Sequence, residues 1–404
     1  MPITVVSRRV SPEELGITGI ADLISAADSC FLTSTEGLIG FGEELKLTAK
    51  GPNRFQELDG QWKEIVSQAT VTDSANLLGS GLVAFGSMSF SEQSNSESYL
   101  IVPKVVIGFV HEEFFITLNN CQETELQELL KAKPVTEELT FNSGSITTQT
   151  FEENVLKAIN LIKEKQISKV VLARDLAAKT NNFYPNSGLV KLARKYPSCY
   201  TYLVNNLFGA SPELLVSVQN KNVRARVLAG TAGRGTDVEV DQAIGEALSH
   251  SHKNLDEHKY AIDSLTSKLE DNCENITADA TPFSISLPNL WHLASDVTAT
   301  LKDDSTSLQL LETLHPSAAV AGTPREDALR VISELEQIDR GRYAGPVGWV
   351  SANGDGVWAI ALRGAHYDGE TVSAFAGCGI VLESDPESEL AETNLKFKAV
   401  LENF

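Results

Sequence analysis

The chain has 404 residues, of which 42% are hydrophobic and 22% charged, enough apolar side chain for a sizeable globular core. Its 54 acidic residues outweigh 33 basic ones, and the formal net charge of -21 excludes nucleic acid and anionic membranes as expected partners, because the long-range field repels them. An anionic small molecule must therefore be met by a local cluster of Lys, Arg, backbone N–H groups or a metal ion. Five scattered cysteines (Cys30, Cys121, Cys199, Cys273 and Cys378) form no C-x-x-C pair, so neither a disulfide framework nor a zinc site is expected. A reducing, cytoplasmic setting fits them. The opening "MPITVVSRRVSPEELG" has no apolar signal region, and no run approaches ~18 apolar residues. With no long apolar surface stretch in view, a monomer is expected.

In chain order, residues 1–145 look strand-rich. "GLVAFGSMSF" and "SYLIVPKVVIGFVHEEFFITL" read as buried strands, and "TELQELLKAK" as a helix. "EELTFNSGSITTQT" reads as a connector. A helix is predicted over "TFEENVLKAINLIKEKQ" on the stripe Val155, Ile159, Ile162, followed by strands at "ISKVVLARDLAA", "CYTYLVNN", "PELLVSVQN" and "RARVLAG". One long helical segment is predicted from about 238 to 271 on Leu248, Leu255, Ile262 and Leu269, and another helix at "LRVISELEQIDR". A β-meander follows, from Gly345 to Ile380, with hairpin turns at Asn353-Gly354 and Asp368-Gly369. Asp385 as N-cap and Pro386 at the first position start a last helix, with Leu390, Phe397 and Leu401 toward a core. Hairpins dominate, so the expected fold is α+β: a large, mostly antiparallel sheet core flanked by helices.

Several residues stand out, each with an ordinary reading beside it. Lys169 opens a strand and shares a face with Val171 and Ala173; turned toward an apolar environment it gives up charge readily, as a general base must, but read alone it is an edge lysine with its head in water. Glu213, delivered to a strand start by "GASPELL", gains acid character if buried. "LAGTAGRG" reads as a glycine-rich loop whose N–H groups can cradle an anion, although it matches no phosphate-loop pattern. Glu257 shares a helix face with Asn254, Ala261 and Ser264 that periodicity assigns to solvent. His292 reads as a satisfied core histidine. Glu389, Glu392 and Lys396 lie on one helix face after a Gly377-x-Gly379 turn, which alone suggests a solvated Glu–Lys pair. No H-x-x-x-H spacing occurs, and glutamate oxygens point to Mg²⁺ rather than zinc.

The order of these segments is more specific than any one of them. "KVVLAR", "GASPELL", "LAGTAGRG", "DEH", "LHPSAAVAGTPR", "GPVGW", "ALRGAHY", "FAGCGIV" and "SELAETNLK" follow the succession found in chorismate-utilising enzymes, and the chain resembles that family from about residue 145 to 400. The family includes isochorismate and salicylate synthases and the large subunits of anthranilate and aminodeoxychorismate synthases. The resemblance implies one fold, with residues 1–145 as its strand-rich N-terminal part and 146–404 as the chorismate-binding catalytic region. It implies Lys169 as the general base that activates water and Glu213 as the general acid. It implies Glu257 and Glu392 as Mg²⁺ ligands, assisted by Glu389. Arg363, Lys396 and the backbone at Gly377 and Gly379 would hold the substrate carboxylates, while Gly230, Thr231, His292, Ala319 and Tyr343 would line the ring pocket.

Within the family the pattern is most similar to isochorismate synthases, which would form isochorismate for menaquinone or siderophore synthesis. Nitrogen-using relatives typically carry Gln at the place of Lys169, and aminodeoxychorismate synthases Lys at that of Ala229, so no glutaminase subunit is expected. Salicylate synthases share the base, acid and metal site and often carry Thr at the place of Ala319; release of pyruvate separates them. A non-catalytic chorismate-binding homologue is the further alternative, against which the intact Lys169, Glu213, Glu257 and Glu392 speak. Asn254 departs from the family by replacing an acidic residue, Ser317-Ala318 by replacing Thr-Pro, and Val227 by replacing Pro.

Overall fold

The computed structural model describes residues 2–404, apart from the side chains of Lys253 and Glu257. Among the described residues the strands form one sheet of thirteen and one of ten, and both take strands from before and after residue 145. Every pairing is antiparallel except that of Thr4–Val10 with Thr70–Asp73. The expectation of an α+β fold with large antiparallel sheets is met.

Period-two alternation decides which layer each side chain enters. In Val83–Ser87, Val83 and Phe85 point between the sheets, and Ala84 points to the helices outside. In Tyr200–Val204, Tyr202 and Val204 point between the sheets and Leu203 outward. The sheets thus stack through Phe31, Phe85, Phe115, Tyr202 and Trp349, and each outer face is covered by helices. No helix among the described residues is long and apolar enough to cross a membrane. All five cysteines are free.

Several expectations are corrected. "TELQELLKAK" forms only a 3₁₀ turn, Glu123–Glu125, and a one-turn helix, Leu126–Leu129. The helical segment from 238 breaks in two, Val238–Ser249 and His252–Leu269, because Ser251 caps the second by accepting from the Asn254 N–H. "LAGTAGRG" is no loop through most of its length: the strand Asn222–Gly233 runs through it, with its register shifted between Leu228 and Thr231. Gly377 and Gly379 are not a turn either. Both lie inside the strand Thr371–Ile380, opposite Ala173 and Val171.

The meander is also not one sheet. Its first hairpin, Pro346–Ser351 with Gly356–Ile360, belongs to the ten-stranded sheet; Gly364–Tyr367 and Thr371–Ile380 belong to the other. Among the places where the chain crosses between sheets are Ala361–Arg363 and, between Leu207–Ser211 and Leu214–Gln219, Pro212-Glu213.

The last helix, Pro386–Leu401, starts as expected, with the Asp385 side chain accepting from the Ser388 N–H. Its buried residues are Glu389, Thr393, Phe397, Ala399 and Val400, whereas Leu401 is exposed. The face read as solvated is therefore turned inward.

Candidate active site

A cleft enclosing about 660 Å³, its mouth included, lies where the two sheets part. The larger sheet supplies Val171 and Phe375 to Gly379, the smaller Leu228 to Thr231 and His292, and the two crossings supply Glu213 and Arg363. Lys396 enters from the last helix, and Ala319, Arg340 and Tyr343 from loops. Of the residues singled out from sequence, Glu213, Gly230, Thr231, His292, Ala319, Tyr343, Arg363, Gly377, Gly379 and Lys396 all line this one space.

Glu213 is 4% exposed, and burial pushes its carboxyl up to about 8, against the opposing charges of Lys169, Lys396 and Arg363 and an N–H from Leu228. A carboxyl in that state carries a proton at neutral pH and can give it away. Lys169 is fully buried rather than at a wet edge, on the strand Lys169–Lys179 two residues before Val171, and its charge is felt by Glu213.

Arg363 has φ of 52°, a left-handed conformation uncommon for a residue with a Cβ. Its Nη2 donates to His292 Nε2 at 2.7 Å, which leaves the His292 Nδ1–H to donate to the Gly230 carbonyl at 3.2 Å. Burial, then the Arg363 charge, hold His292 neutral by lowering its pKa well below the ordinary range. His292 is thus a satisfied histidine, and one that also holds the Arg363 guanidinium by a hydrogen bond. Tyr343 stacks on Phe375 at 5.1 Å and gives the cleft an apolar wall.

The bulge at Gly230 is held by Asn254. Gly230 has φ of +86°, and a Cβ there would stand 2.9 Å from the Asn254 Cβ. Asn254 Oδ1 accepts from the Thr231 N–H at 3.3 Å, and Nδ2 donates to Ser251 Oγ at 2.8 Å. Farther along, His258 and Ala261 are buried, so the helix face assigned to solvent in fact packs on the strand Asn222–Gly233. Glu257 belongs to that helix; its side chain lies outside the described residues.

Lys396 pairs with Glu392 at 2.5 Å and donates to the Gly377 carbonyl at 2.8 Å. Glu389 is 1% exposed, and burial together with the charges of Glu389 and Glu392 drives the Cys378 thiol well above its usual range. Two carboxylates therefore stand beside Lys396 and Cys378, which line this end of the cleft, although neither carboxylate lines it itself. Their all-oxygen chemistry suits a hard cation such as Mg²⁺. Among the described residues no three His, Cys, Asp or Glu side chains form a metal cluster, and the Glu257 side chain lies outside them.

Sequence reasoning missed a buried pair, Glu336 and Arg340. Glu336 accepts from the Ala173 N–H at 2.7 Å, while Arg340 donates to the carbonyls of Val171 at 2.7 Å and Val320 at 3.1 Å. They fill a gap in the sheet edge, since Lys169–Lys179 pairs on that side only with Gly322–Thr323 and Asn142–Ser143. The Glu-x-x-x-Arg spacing was visible, but it reads as an exposed helical pair.

A family model described as "Chorismate binding enzyme" matches residues 23–404. The chain belongs to the chorismate-binding enzymes. Among its relatives in that family, the isochorismate synthase MenF of Bacillus subtilis strain 168 is 30% identical over 397 residues, covering 90% of this chain and 84% of its own. The isochorismate synthase DhbC of the same organism is 31% identical over 376 residues, covering 89% and 88%. The solved structure of the menaquinone-specific isochorismate synthase MenF from Escherichia coli matches with a TM-score of 0.80 over 99% of this chain and 94% of its own; at 22% identity the likeness is one of fold. This chorismate-binding enzyme thus shares its architecture with relatives along nearly its whole length.

Proposed function

We propose that this chain is an isochorismate synthase that converts chorismate to isochorismate. The observation that carries the reading is Glu213, a carboxyl shifted to about 8, in one cleft with Arg363 and Lys396 and within electrostatic reach of Lys169. That arrangement pairs a proton donor with a candidate base beside two cations suited to a dicarboxylate. The likeness to two isochorismate synthases over most of both chains supports it.

In this reading Arg363 and Lys396 bind the substrate carboxylates, and Tyr343, Phe375 and Ala319 enclose the ring. Lys169 takes a proton from the water that attacks C2. Glu213 gives its proton to the C4 hydroxyl, which leaves as water while the ring double bonds shift. One water adds and one departs, so the formula is unchanged. Glu389, Glu392 and Glu257 would hold Mg²⁺, which when bound supplies positive charge that draws electron density from the ring carboxylate and its diene. No glutaminase subunit is required, because no ammonia enters the reaction.

Purified protein incubated with chorismate and Mg²⁺, with an EDTA control, tests this. Isochorismate without pyruvate, lost with EDTA, is expected. Salicylate with equimolar pyruvate would move the chain to the salicylate synthases, and unchanged chorismate would leave a binding role.

A further inference from the structure

Outside the cleft, a second cavity opens between the helices Arg54–Gln68 and Arg325–Glu336, enclosing about 1400 Å³ with its mouth included. Arg54 and His315, 5% and 1% exposed, line it together with Arg325. Lys268 stands behind it, with its ammonium directed at the Pro316 carbonyl at 3.4 Å. In a chain of net charge -21, none of Arg54, Lys268 and Arg325 makes an ion pair among the described residues. Arg54 Nε is buried without a hydrogen-bond partner, whereas His315 donates through Nε2 to the Phe90 carbonyl at 2.9 Å and adds no donor to the cavity. Buried polar groups are normally satisfied, so an atom such as Arg54 Nε calls for an explanation.

The other features of the cavity point the same way. Arg54 spends single bonds on the carbonyls of Gly51 and Ser89, and Arg325 spends one on that of His315, which leaves N–H groups of both guanidinium forks over. The twelve-residue helix Arg325–Glu336 begins here with Pro324 as its N-cap, so no side chain covers its first N–H groups. The carboxylates of the lining, among them Glu92, Glu312 and Glu326, are exposed at the mouth, where water and salt screen them, while the cations lie deeper. The cations also weaken one another: Lys268 is lowered to about 8 by burial and then by Arg325.

We propose that this cavity is a second binding site, separate from the cleft, for a small dianion of the phosphate or dicarboxylate kind. Two guanidinium groups facing one space match two negative charges, and planar forks suit the oxygens of either anion. The segment His315–Val320 joins the two sites, since His315 and Pro316 line this cavity and Ala319 and Val320 line the cleft.

Calorimetric titration with inorganic phosphate and, separately, with succinate tests this, in chloride held at constant ionic strength. Saturable binding is expected, weakened at least tenfold in Arg325→Gln and in Arg54→Gln and changed less than twofold in the cleft variant Arg363→Gln. Saturation by phosphate alone or succinate alone identifies which anion the site takes. Arg325 is less buried than Arg54, so its variant gives the reading if Arg54→Gln does not fold. Binding that never saturates, that is unchanged in Arg325→Gln, or that is lost only in Arg363→Gln overturns the proposal. None of these readouts depends on turnover of chorismate.

Discussion

Glu213 and Arg363 each occupy a place where the chain passes from one sheet to the other, and these two passages are stitched together. The Ile360 N–H donates to the Glu213 carbonyl at 3.1 Å, and the Ala210 N–H donates to the Arg363 carbonyl at 3.3 Å. A strand that leaves its sheet frees side chains from the period-two alternation. That is how a buried carboxyl and a buried guanidinium come to face one cleft while their neighbours stay in the core.

Replacement of Glu213 by Gln keeps the shape and removes the proton. Turnover should fall at least about a thousandfold with chorismate still bound, within the range general acids contribute. In the natural chain, activity should decline as pH rises through about 8, where Glu213 loses its proton. Stability follows the same group. Below the ordinary carboxyl range both folded and unfolded chains hold the proton; from there to about 8 only the folded chain does, so stability falls as pH rises through that window. Glu213→Gln should therefore gain melting temperature over the natural chain at pH 8.5 more than at pH 4.5. An equal difference at both would remove the protonated acid from the account.

Lys169→Ala should abolish turnover while chorismate binding, measured calorimetrically, stays within a few-fold. Full activity would show that another group activates the water.

Glu392→Ala removes a carboxylate and releases Lys396 from its partner. Activity and its Mg²⁺ requirement should disappear together. An active variant insensitive to EDTA would place the metal elsewhere.

Gly230→Ala puts a Cβ at φ of +86° and 2.9 Å from the Asn254 side chain. A loss of about 1–3 kcal/mol of stability is expected, readable as a lower denaturant midpoint with unchanged slope. Pairing it with Asn254→Ala should recover little of that loss, because alanine keeps the Cβ that makes the nearest contact.

Arg340→Lys keeps the charge beside Glu336 but cannot reach the Val171 and Val320 carbonyls at once. Because these hydrogen bonds hold the strand of Lys169, kcat should fall about tenfold or more with KM little changed, and amides of residues 169–175 should exchange faster. Unchanged exchange would reduce the pair to simple packing.

Much was legible in the residues themselves. Apolar periodicity predicted the strands and the capped last helix, because both record a local rule of spacing. The succession of motifs, a one-dimensional property, was enough to indicate the family. Which charged face is wet is not such a property. Glu389 and Lys169 look like solvated surface residues by local spacing, and both are buried because distant strands cover them. "LAGTAGRG" looks like a loop by composition, yet pairing with Leu290–Leu301 extends it as strand, and Asn254, from another helix, holds its bulge. Glu336 and Arg340 have the spacing of an exposed pair and instead complete a sheet edge more than 160 positions back in the chain. Chemistry by residue type was written in the sequence; protonation, burial and partnership were decided only by folding, since each depends on what the far parts of the chain bring alongside.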